Sequence, residues 1–442
     1  MTESAATPTK STGDTQVGSV FISNYPPYSA WRNEAVPEAL ANLESAPAEE
    51  NPMGLYLHIP FCRKRCKFCY FKVYTEKDSS EIRSYLAALG REVEIYSRRP
   101  AIAGRSLQFV YFGGGTPSFI SARALQELAE GLKAAIPWDG AEEVTFECEP
   151  GTLTQAKLEV IRGIGVTRLS LGIESFNDRI LEENGRAHLS EEIYRTIPWI
   201  RALSFDQLNI DLIAGMVGES WESWRESVKR TVDLQPDSVT IYQMELPFNT
   251  VYSSQMLGGR TDLAVADWKL KREWQEHAFA ELEAAGYEVS SAYTVVRKGK
   301  KCRFVYRDAV WHGCDLIGAG VSSFSHINGF HQQNASEWGE YIGRLEAGDL
   351  PVARALKTSQ PQRLVREMIL QLKLGRIDPG YFEDKFGADI LTEFAPAFQR
   401  LRDRHMLRAA RGRVELTREG LMRVDHLLPE FYAPEFRNVR YT

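Results

Sequence analysis

The chain has 442 residues, of which 43% are hydrophobic and 25% are charged, and its formal net charge is −6. These values are typical of a soluble globular protein, and the negative charge argues against a general nucleic-acid binder, whose surface is usually basic. No run of about 18 apolar residues occurs in the sequence, so we expect no membrane span.

Residues 1–50 are rich in Ala, Ser, Thr, Pro and Glu and show little periodic apolar patterning. We predict a flexible arm here, with one short ordered piece at Val17–Tyr28. The N-terminus lacks the apolar core of a signal peptide, and the six cysteines do not resemble the disulfide framework of a short secreted chain. We therefore expect a protein of the reducing cytoplasm.

From Leu55 onward, short apolar segments alternate with segments of helical period. The strands are predicted at Leu55–Ile59, Leu107–Phe112, Glu143–Cys148, Arg168–Ile173, Gln207–Ile213 and Ser238–Leu246. The helices are predicted at Glu81–Ser97, Ala122–Ile136, Thr154–Ile164, Glu191–Leu203, Trp221–Leu234 and Ala264–Ala285.

Six βα units in succession indicate a parallel sheet with helices outside it. The predicted strands are nearly continuous apolar runs, as expected when both faces of a sheet are buried. Periodicity alone leaves two arrangements open, a partial barrel and an open doubly wound sheet. In either one, ligands bind at the C-terminal ends of the strands, and most of the candidate site residues lie at or near those ends.

After about Tyr293 the regular alternation ends, and residues 314–330 are rich in Gly and Ser. From about Arg363 the sequence becomes helical and charged, and it closes with a predicted hairpin followed by a helix. This combination indicates a small winged-helix-like domain. We therefore divide the chain into an arm at 1–50, an α/β core at 51–330 and a C-terminal domain at 331–442.

Half of the cysteines lie within eight residues: Cys62, Cys66 and Cys69 have the spacing C-x3-C-x2-C. Three thiolates from one loop can hold three corners of a [4Fe–4S] cluster and leave the fourth iron open to a small ligand. A zinc site is the main alternative, and it would need a further ligand such as His58 or Cys148.

Three carboxylates lie within or at the ends of apolar strands: Glu147, Glu174 and Asp211. An unpaired charge in such a place is costly, whereas a bound polar ligand would satisfy it. Gly113–Thr116 follows another strand, and glycines there allow a ligand to approach the backbone closely. Arg186, in the sequence NGRAH, would by itself be read as a surface residue.

The cysteine spacing, with the aromatic Phe68 before the last cysteine, resembles the motif of radical S-adenosylmethionine (SAM) enzymes. Further segments resemble, in order, those of the oxygen-independent coproporphyrinogen III oxidase family, which includes related haem chaperones, methyltransferases and cyclopropanases. These segments are YLHIPFC, YFGGGTPS, the glutamate of FECEP, RLSLGIESFN, NIDLIAG and GVSSFS. The resemblance covers about residues 50–430.

The resemblance implies a partial (β/α)6 barrel, a [4Fe–4S] cluster on Cys62, Cys66 and Cys69, and SAM on the open iron. It implies contacts to the first SAM from Tyr56, Gly114, Glu147 and Phe324. Around a second SAM it implies Phe68, Gly115, Thr116, Glu174, Arg186 and Asp211. It also implies a reductant such as flavodoxin or ferredoxin and a small-molecule substrate, a porphyrinogen or haem.

Three positions depart from the family pattern. Phe71 stands where the oxidase commonly has a further cysteine, Glu174 replaces a glutamine, and Val321–Ser323 lacks the histidine of the haem chaperone. Apart from these departures, the resemblance implies a radical SAM oxidoreductase that decarboxylates porphyrinogen propionates. A haem chaperone, or a methyltransferase or cyclopropanase with another substrate, remains the alternative.

Overall fold

The computed structural model describes residues 15–47, 51–260, 263–408, 412–437 and 439. Six strands form the centre of the fold, and each coincides with a strand predicted from the sequence apart from small differences at the ends. They are β1 (Met53–Ile59), β2 (Leu107–Gly114), β3 (Glu143–Cys148), β4 (Arg168–Glu174), β5 (Gln207–Ala214) and β6 (Ser238–Gln243). Neighbouring members of this series pair in parallel register.

Further strands extend this sheet on both sides. They are β7 (Tyr287–Val289), β8 (Thr294–Arg297), β9 (Asp315–Ala319), β10 (Phe324–Ile327), β11 (Phe330–Asn334) and β12 (Val352–Lys357). The strand order is β12-β11-β10-β9-β1-β2-β3-β4-β5-β6-β8-β7. Because β1 pairs with β9 and β6 pairs with β8, the six central strands form an open arc. The predicted partial (β/α)6 barrel is therefore confirmed.

Helices pack around this arc. Those of the core are α1 (Val36–Asn42), α2 (Ser79–Ser97), α3 (Ala122–Ala135), α4 (Gln155–Gly163), α5 (Asp178–Glu183), α6 (Ser190–Ala202), α7 (Trp221–Leu234), α8 (Val251–Leu257), α9 (Trp268–Ala284), α10 (Val305–Trp311) and α11 (Trp338–Glu346). Local sequence explains where the longest begins: the Asp78 side chain accepts from backbone N–H groups while Glu81 bonds back to Asp78, which is a capping box.

The two faces of the central strands differ in chemistry. Outward residues such as Leu57, Phe146 and Ile210 belong to one apolar core beneath the helices. Inward residues at alternate positions are polar or aromatic, as with Ser170 and Asn209. Both faces are buried, as predicted. The strands read as apolar along their whole length in the sequence because tyrosines, which count as hydrophobic, occupy several of the inward positions. The inside of the arc is consequently a polar space surrounded by an apolar shell.

The C-terminal part packs around a second apolar core. Its helices are α12 (Gln360–Leu372), α13 (Pro379–Phe386), α14 (Ile390–Glu393), α15 (Ala395–Asp403), α16 (Arg418–Met422) and α17 (Val424–Leu427). Its strands β13 (Arg376–Ile377), β14 (Leu407–Arg408) and β15 (Val414–Leu416) pair antiparallel in the order β13-β15-β14. The hairpin and the following helix expected from the sequence are present in this helical, winged-helix-like part.

Residues 15–47, the described part of the predicted flexible arm, pack against the rest of the chain. Tyr25 is 1% exposed, its ring contacts Tyr432, and its hydroxyl accepts a hydrogen bond from the Ala433 N–H at 3.0 Å. Trp31 is 3% exposed and stacks on His331 at 5.0 Å. The short ordered piece predicted at Val17–Tyr28 is part of this packed stretch, and the order extends to residue 47 because isolated aromatic residues anchor it without any periodic pattern; residues 1–14 and 48–50 lie outside the described residues.

Within the described ranges, no helix is long and apolar enough to cross a membrane.

The anchoring of the N-terminal segment predicts the effect of Trp31→Ala. The substitution removes a buried ring, so we expect the free energy of unfolding to fall by about 3–5 kcal/mol. Urea denaturation of the full chain measures this change. Tyr194→Ala removes an aromatic side chain that is 43% exposed, so it is the matched control and we expect a much smaller effect. Equal stability of both variants would contradict the observed packing.

Candidate active site

The three motif cysteines follow β1 on one loop at the C-terminal side of the sheet. Cys62, Cys66 and Cys69 are partly exposed, and none of them forms a disulfide. The loop begins beside the strand because Cys62 N donates to Tyr74 O at 3.0 Å, and a turn closes it where Cys69 N donates to Cys66 O at 3.1 Å. The three cysteines therefore lie on one loop at the same edge of the barrel.

Contacts from other strands hold this loop in place. Arg63 forms a bidentate pair with Glu149 after β3, at 3.1 and 2.9 Å. Arg65 donates to Asn249 O at 2.9 Å, and Lys67 lies 3.3 Å from a Glu183 oxygen. Three of the basic side chains among the cysteines thus make contacts within the chain, which favours a structural role for them.

Two polar donors point at the cysteine sulfurs. The Thr116 hydroxyl lies 3.4 Å from Cys62 Sγ, and Arg186 Nη1 lies 3.4 Å from Cys66 Sγ. Such donors stabilise thiolates, the form in which cysteine binds a metal centre. The donor set therefore fits an iron–sulfur cluster, for which three cysteines on one short loop are suitable ligands.

The two extra zinc ligands considered from the sequence differ in their surroundings. Cys148 is buried in the apolar core, away from the loop cysteines. His58 Nδ1 lies 3.2 Å from the Tyr56 hydroxyl, and its Nε2 is buried without a hydrogen-bond partner.

Two hydrogen-bond donors hold the carboxylate of Glu147, one of the predicted ligand residues. Its carboxylate accepts from the Tyr111 hydroxyl at 2.7 Å and from Gly114 N at 3.1 Å. Gly114 has φ of +115°, and a Cβ there would lie 2.6 Å from the His58 ring, so only glycine fits. Burial raises the pKa of Glu147 to about 7, and the nearby Asp211 charge adds to this effect.

Glu174 and Arg186 form a second group beside the cysteine loop. Arg186 Nη2 donates to Gly172 O at 2.8 Å and lies 3.6 Å from a Glu174 oxygen. Glu174 has a left-handed backbone, φ +66°, where the register of β4 shifts against β5. This conformation, costly for a residue other than glycine, is typical of functional sites. Burial raises the pKa of Glu174 to about 7, although Arg186 opposes the rise.

Asp211 lies on β5, next to Gly172 of β4. Its two oxygens accept from the Ser170 hydroxyl at 2.8 Å and from the Asn209 amide at 3.0 Å. The three carboxylates thus meet at the C-terminal end of the barrel, where the sequence analysis expected the candidate site residues to lie.

Two tyrosines line the space beside these carboxylates. Tyr242 and Tyr70 are 42% and 40% exposed, yet burial raises the pKa of both phenols. The charges of Asp211, Glu147 and Glu174 raise the Tyr242 pKa further. Both rings are therefore accessible although protein surrounds them, and Tyr242 lies among the carboxylates; we call the space that these side chains line the chamber.

Two predicted ligand residues lie apart from this group. Phe68 packs against an apolar cluster that includes Ile180 and Ile213. Phe324 is 42% exposed and has Tyr28 and Trp31 of the N-terminal segment as its ring neighbours. The remaining predictions, Tyr56, Gly115 and Thr116, lie with the main group through β1 and the end of β2.

Sequence reasoning missed several residues of the chamber. Tyr56 stacks with Tyr111 at 5.8 Å and with Tyr306 at 6.4 Å, and Tyr306 comes from a helix outside the βα series. Tyr242 also went unnoticed. Tyr111 and Tyr242 could have been found from the sequence, because they occupy inward positions in the alternation of their strands. No local feature of the sequence marks Tyr306.

Comparison with known proteins agrees with this geometry. A family model for the radical SAM superfamily matches residues 56–231, from the first tyrosine of the chamber to α7. Together with the partial barrel and the cysteine loop, this match shows a radical SAM domain in this part of the chain. A radical SAM domain implies a [4Fe–4S] cluster and SAM.

The chain is similar to oxygen-independent coproporphyrinogen III oxidases over most of its length. It is 29% identical over 418 residues to the one from Pseudomonas aeruginosa, covering 89% of this chain and 88% of that protein. Against the one from Escherichia coli it is 27% identical over 388 residues, covering 85% and 81%. The resemblance noted in the sequence is thereby confirmed.

Two further relatives complete the comparison. The haem chaperone HemW from Bacillus subtilis is 25% identical over 370 residues, covering 83% of this chain and 95% of that protein. The solved structure of coproporphyrinogen III oxidase (HemN) from Escherichia coli, described as a radical SAM enzyme, has a TM-score of 0.80. It is 24% identical and covers 93% of this chain and 96% of that chain, which shows the shared fold.

The cysteine loop predicts which thiols are needed for iron. We expect Cys66→Ala to lose most of the iron and sulfide that the wild type holds after anaerobic reconstitution, about four of each per chain. Cys148→Ala removes a buried thiol outside the loop and is the matched control, expected to keep its iron. Retention of iron by Cys66→Ala, or zinc in place of iron in the wild type, would contradict the assignment.

Proposed function

We propose that the chain is a radical SAM oxidoreductase that converts propionate side chains of a porphyrinogen into vinyl groups. The similarity to coproporphyrinogen III oxidases across the core and the C-terminal part is the observation that carries this proposal. The similarity covers 89% of this chain in one relative and 85% in another, so it extends well beyond residues 56–231.

When bound, a [4Fe–4S] cluster on Cys62, Cys66 and Cys69 would supply the electron that cleaves SAM to methionine and a 5′-deoxyadenosyl radical. The substrate propionate would lose one hydrogen atom to this radical, and then carbon dioxide and one electron to an acceptor, leaving a vinyl group. The protein's task is to hold both molecules and to keep out water and oxygen, because the radical is indiscriminate.

We assign the first SAM to the group formed by Tyr56, Gly114 and Glu147. The Glu147 carboxylate is held by two donors, so it can accept from a cationic ammonium group without turning away. The missing side chain at Gly114 leaves room for close approach of a ligand to the backbone. Phe324 would contact the same molecule only from the side of the N-terminal segment.

We assign a second SAM to the group at the other side of the cysteine loop. Its members are Phe68, Gly115, Thr116, Glu174, Arg186 and Asp211. Support comes from the three neighbouring carboxylates, which favour a cationic ligand in a buried space. Phe68 would support this site through its apolar packing beneath the loop.

Equilibrium dialysis of SAM against the reconstituted protein distinguishes one bound molecule per chain from two.

The chamber also suits a large ring-shaped substrate. Tyr70 and Phe71 stack on each other at 4.4 Å and remain about 40% exposed next to the last cysteine. Exposed aromatic faces pack well against a flat or saucer-shaped macrocycle. Phe71 stands where the family pattern has a cysteine, so the electron and proton transfers of this chain would not use a thiol at that position.

A haem chaperone is the second candidate, because the relative from Bacillus subtilis is similar over a comparable length. His331 uses both of its ring nitrogens, because it bonds to His326 at 2.9 Å and to Tyr25 O at 3.0 Å. Val321–Ser323 also lacks the histidine that the haem chaperone has in this segment, so we favour the enzyme.

The first test is anaerobic incubation of reconstituted protein with SAM, a low-potential reductant and coproporphyrinogen III. We expect 5′-deoxyadenosine and a decarboxylated porphyrinogen, measured by mass spectrometry, in a fixed ratio. Formation of 5′-deoxyadenosine with unchanged coproporphyrinogen would contradict the substrate and favour methyl transfer or cyclopropanation of another compound. Stoichiometric haem binding without any SAM cleavage would favour the chaperone.

Two further parts of the proposal concern the surroundings of the enzyme. We assign a reductant of the flavodoxin or ferredoxin class, which would approach the partly exposed cysteine loop. We also assign a cytoplasmic location, because all six cysteines are free and the three of the loop must stay reduced to bind a cluster.

A further inference from the structure

Asn209 lies at the centre of a hydrogen-bonded network on the inner face of the barrel. It is fully buried on β5, two residues before Asp211. Its amide nitrogen donates to Asp211 Oδ1 at 3.0 Å and to the Ser170 hydroxyl at 3.0 Å. The Ser170 hydroxyl in turn donates to Asp211 Oδ2 at 2.8 Å.

The side-chain oxygen of Asn209 is also hydrogen-bonded. It accepts from the Ser238 hydroxyl at 2.7 Å and from the Thr240 hydroxyl at 3.1 Å. Gln207 donates to Ser238 at 3.0 Å and extends the network toward the closed end of the barrel. With two donors and two acceptors of the amide used, only one orientation of Asn209 satisfies all of its neighbours.

This arrangement directs hydrogen-bond donors at both oxygens of Asp211. An ionised carboxylate only accepts hydrogen bonds, so the amide nitrogen must face it. Each hydroxyl has one proton. The Ser238 hydroxyl donates its proton to the Asn209 oxygen, whereas the Thr240 hydroxyl lies within reach of both that oxygen and Asp211. The direction of the network is therefore fixed across strands β4, β5 and β6, and it ends at Asp211.

We propose that Asn209 is a positioning residue that holds the Asp211 carboxylate oriented and ionised for binding SAM. The inference rests on the proposed function insofar as Asp211 is assigned there to the second SAM. Asn209 itself touches no ligand in this proposal. It acts through Asp211, with Ser170 as its partner on the neighbouring strand.

The charged surroundings of Asp211 make such support necessary. Glu147 on β3 and Glu174 on β4 bring like charges, and Arg168 on β4 opposes them. Tyr242 on β6 also faces Asp211. Burial raises the pKa of Asp211, whereas the hydrogen bonds from Ser170 and Asn209 lower it. Without those donors, a proton would compete with the ligand for the carboxylate.

The test compares SAM binding by the wild type and Asn209→Ala across the range pH 5.5–8.5. Isothermal titration calorimetry on reconstituted protein gives the affinity for SAM at each pH. Protonation of SAM itself affects all variants equally, so it does not contribute to a difference between them. Loss of the donor raises the pH at which Asp211 ionises. We expect the acid limb of the affinity profile to move upward by about one pH unit, equivalent to about tenfold weaker binding on that limb.

A matched control separates positioning from stability. Asn334 is also buried, and its amide donates to the buried carboxylate of Glu92 at 2.6 Å, away from the three chamber carboxylates. Asn334→Ala should lower the thermal unfolding temperature but leave the pH midpoint of SAM binding unchanged. Ser170→Ala removes the other donor to Asp211, so it should shift the profile in the same direction and serves if Asn209→Ala does not fold.

The outcomes distinguish this inference from the proposed function. A wild-type profile in folded Asn209→Ala, or an equal shift in Asn334→Ala, would overturn the role of Asn209 even if coproporphyrinogen is consumed. A shifted profile with coproporphyrinogen unchanged would support Asn209 and overturn only the substrate. Binding of a single SAM, insensitive to Asp211→Asn, would overturn both the second SAM and the role of Asn209.

Discussion

The alternation of side chains along six parallel strands is the constraint on which the rest of the molecule depends. Each strand sends every second residue outward into an apolar core and the others inward. Because the strands are parallel, their C-terminal ends share one edge, and Glu147, Glu174 and Asp211 meet there. The outward residues stabilise the fold through burial, so the inward positions are free to carry polar groups, provided that those groups bond to one another.

The polar interior meets this condition by hydrogen bonding across strands. Glu147 receives donors from β2, and Asp211 receives donors from β4 and from its own strand. These bonds offset part of the cost of burying three carboxylates near one another. The remaining cost is visible in the raised pKa values of Glu147 and Glu174, which make the chamber receptive to a cationic ligand.

The cysteine loop depends on the same edge of the sheet. Its spacing allows three thiols to come from eight residues, but its position is decided by partners far along the chain. Arg63 pairs with Glu149, Thr116 reaches Cys62, and Arg186 reaches Cys66. Through Arg186, the loop is linked to Glu174, so the cluster ligands and the chamber carboxylates form one connected arrangement.

The sequence by itself determined the order of strands and helices, the cysteine motif and the class of chemistry. Its strands and helices could be predicted because hydrophobic period is a local property, and the carboxylates stood out because charges in apolar strands are costly. The packing of residues 15–47 could not be predicted in this way. Trp31 and Tyr25 are single anchors whose partners, such as His331 and Tyr432, are hundreds of residues away.

Only the tertiary structure decided which residues share the chamber. It brought Tyr306 from a helix outside the βα series to Tyr56, placed Phe324 against the N-terminal segment and gave Asn209 its partners. The physical reason is that hydrogen bonds and ring contacts between strands depend on register and on which face each residue occupies. Neither property can be read from one segment alone, because a shift of one residue moves every side chain to the opposite face.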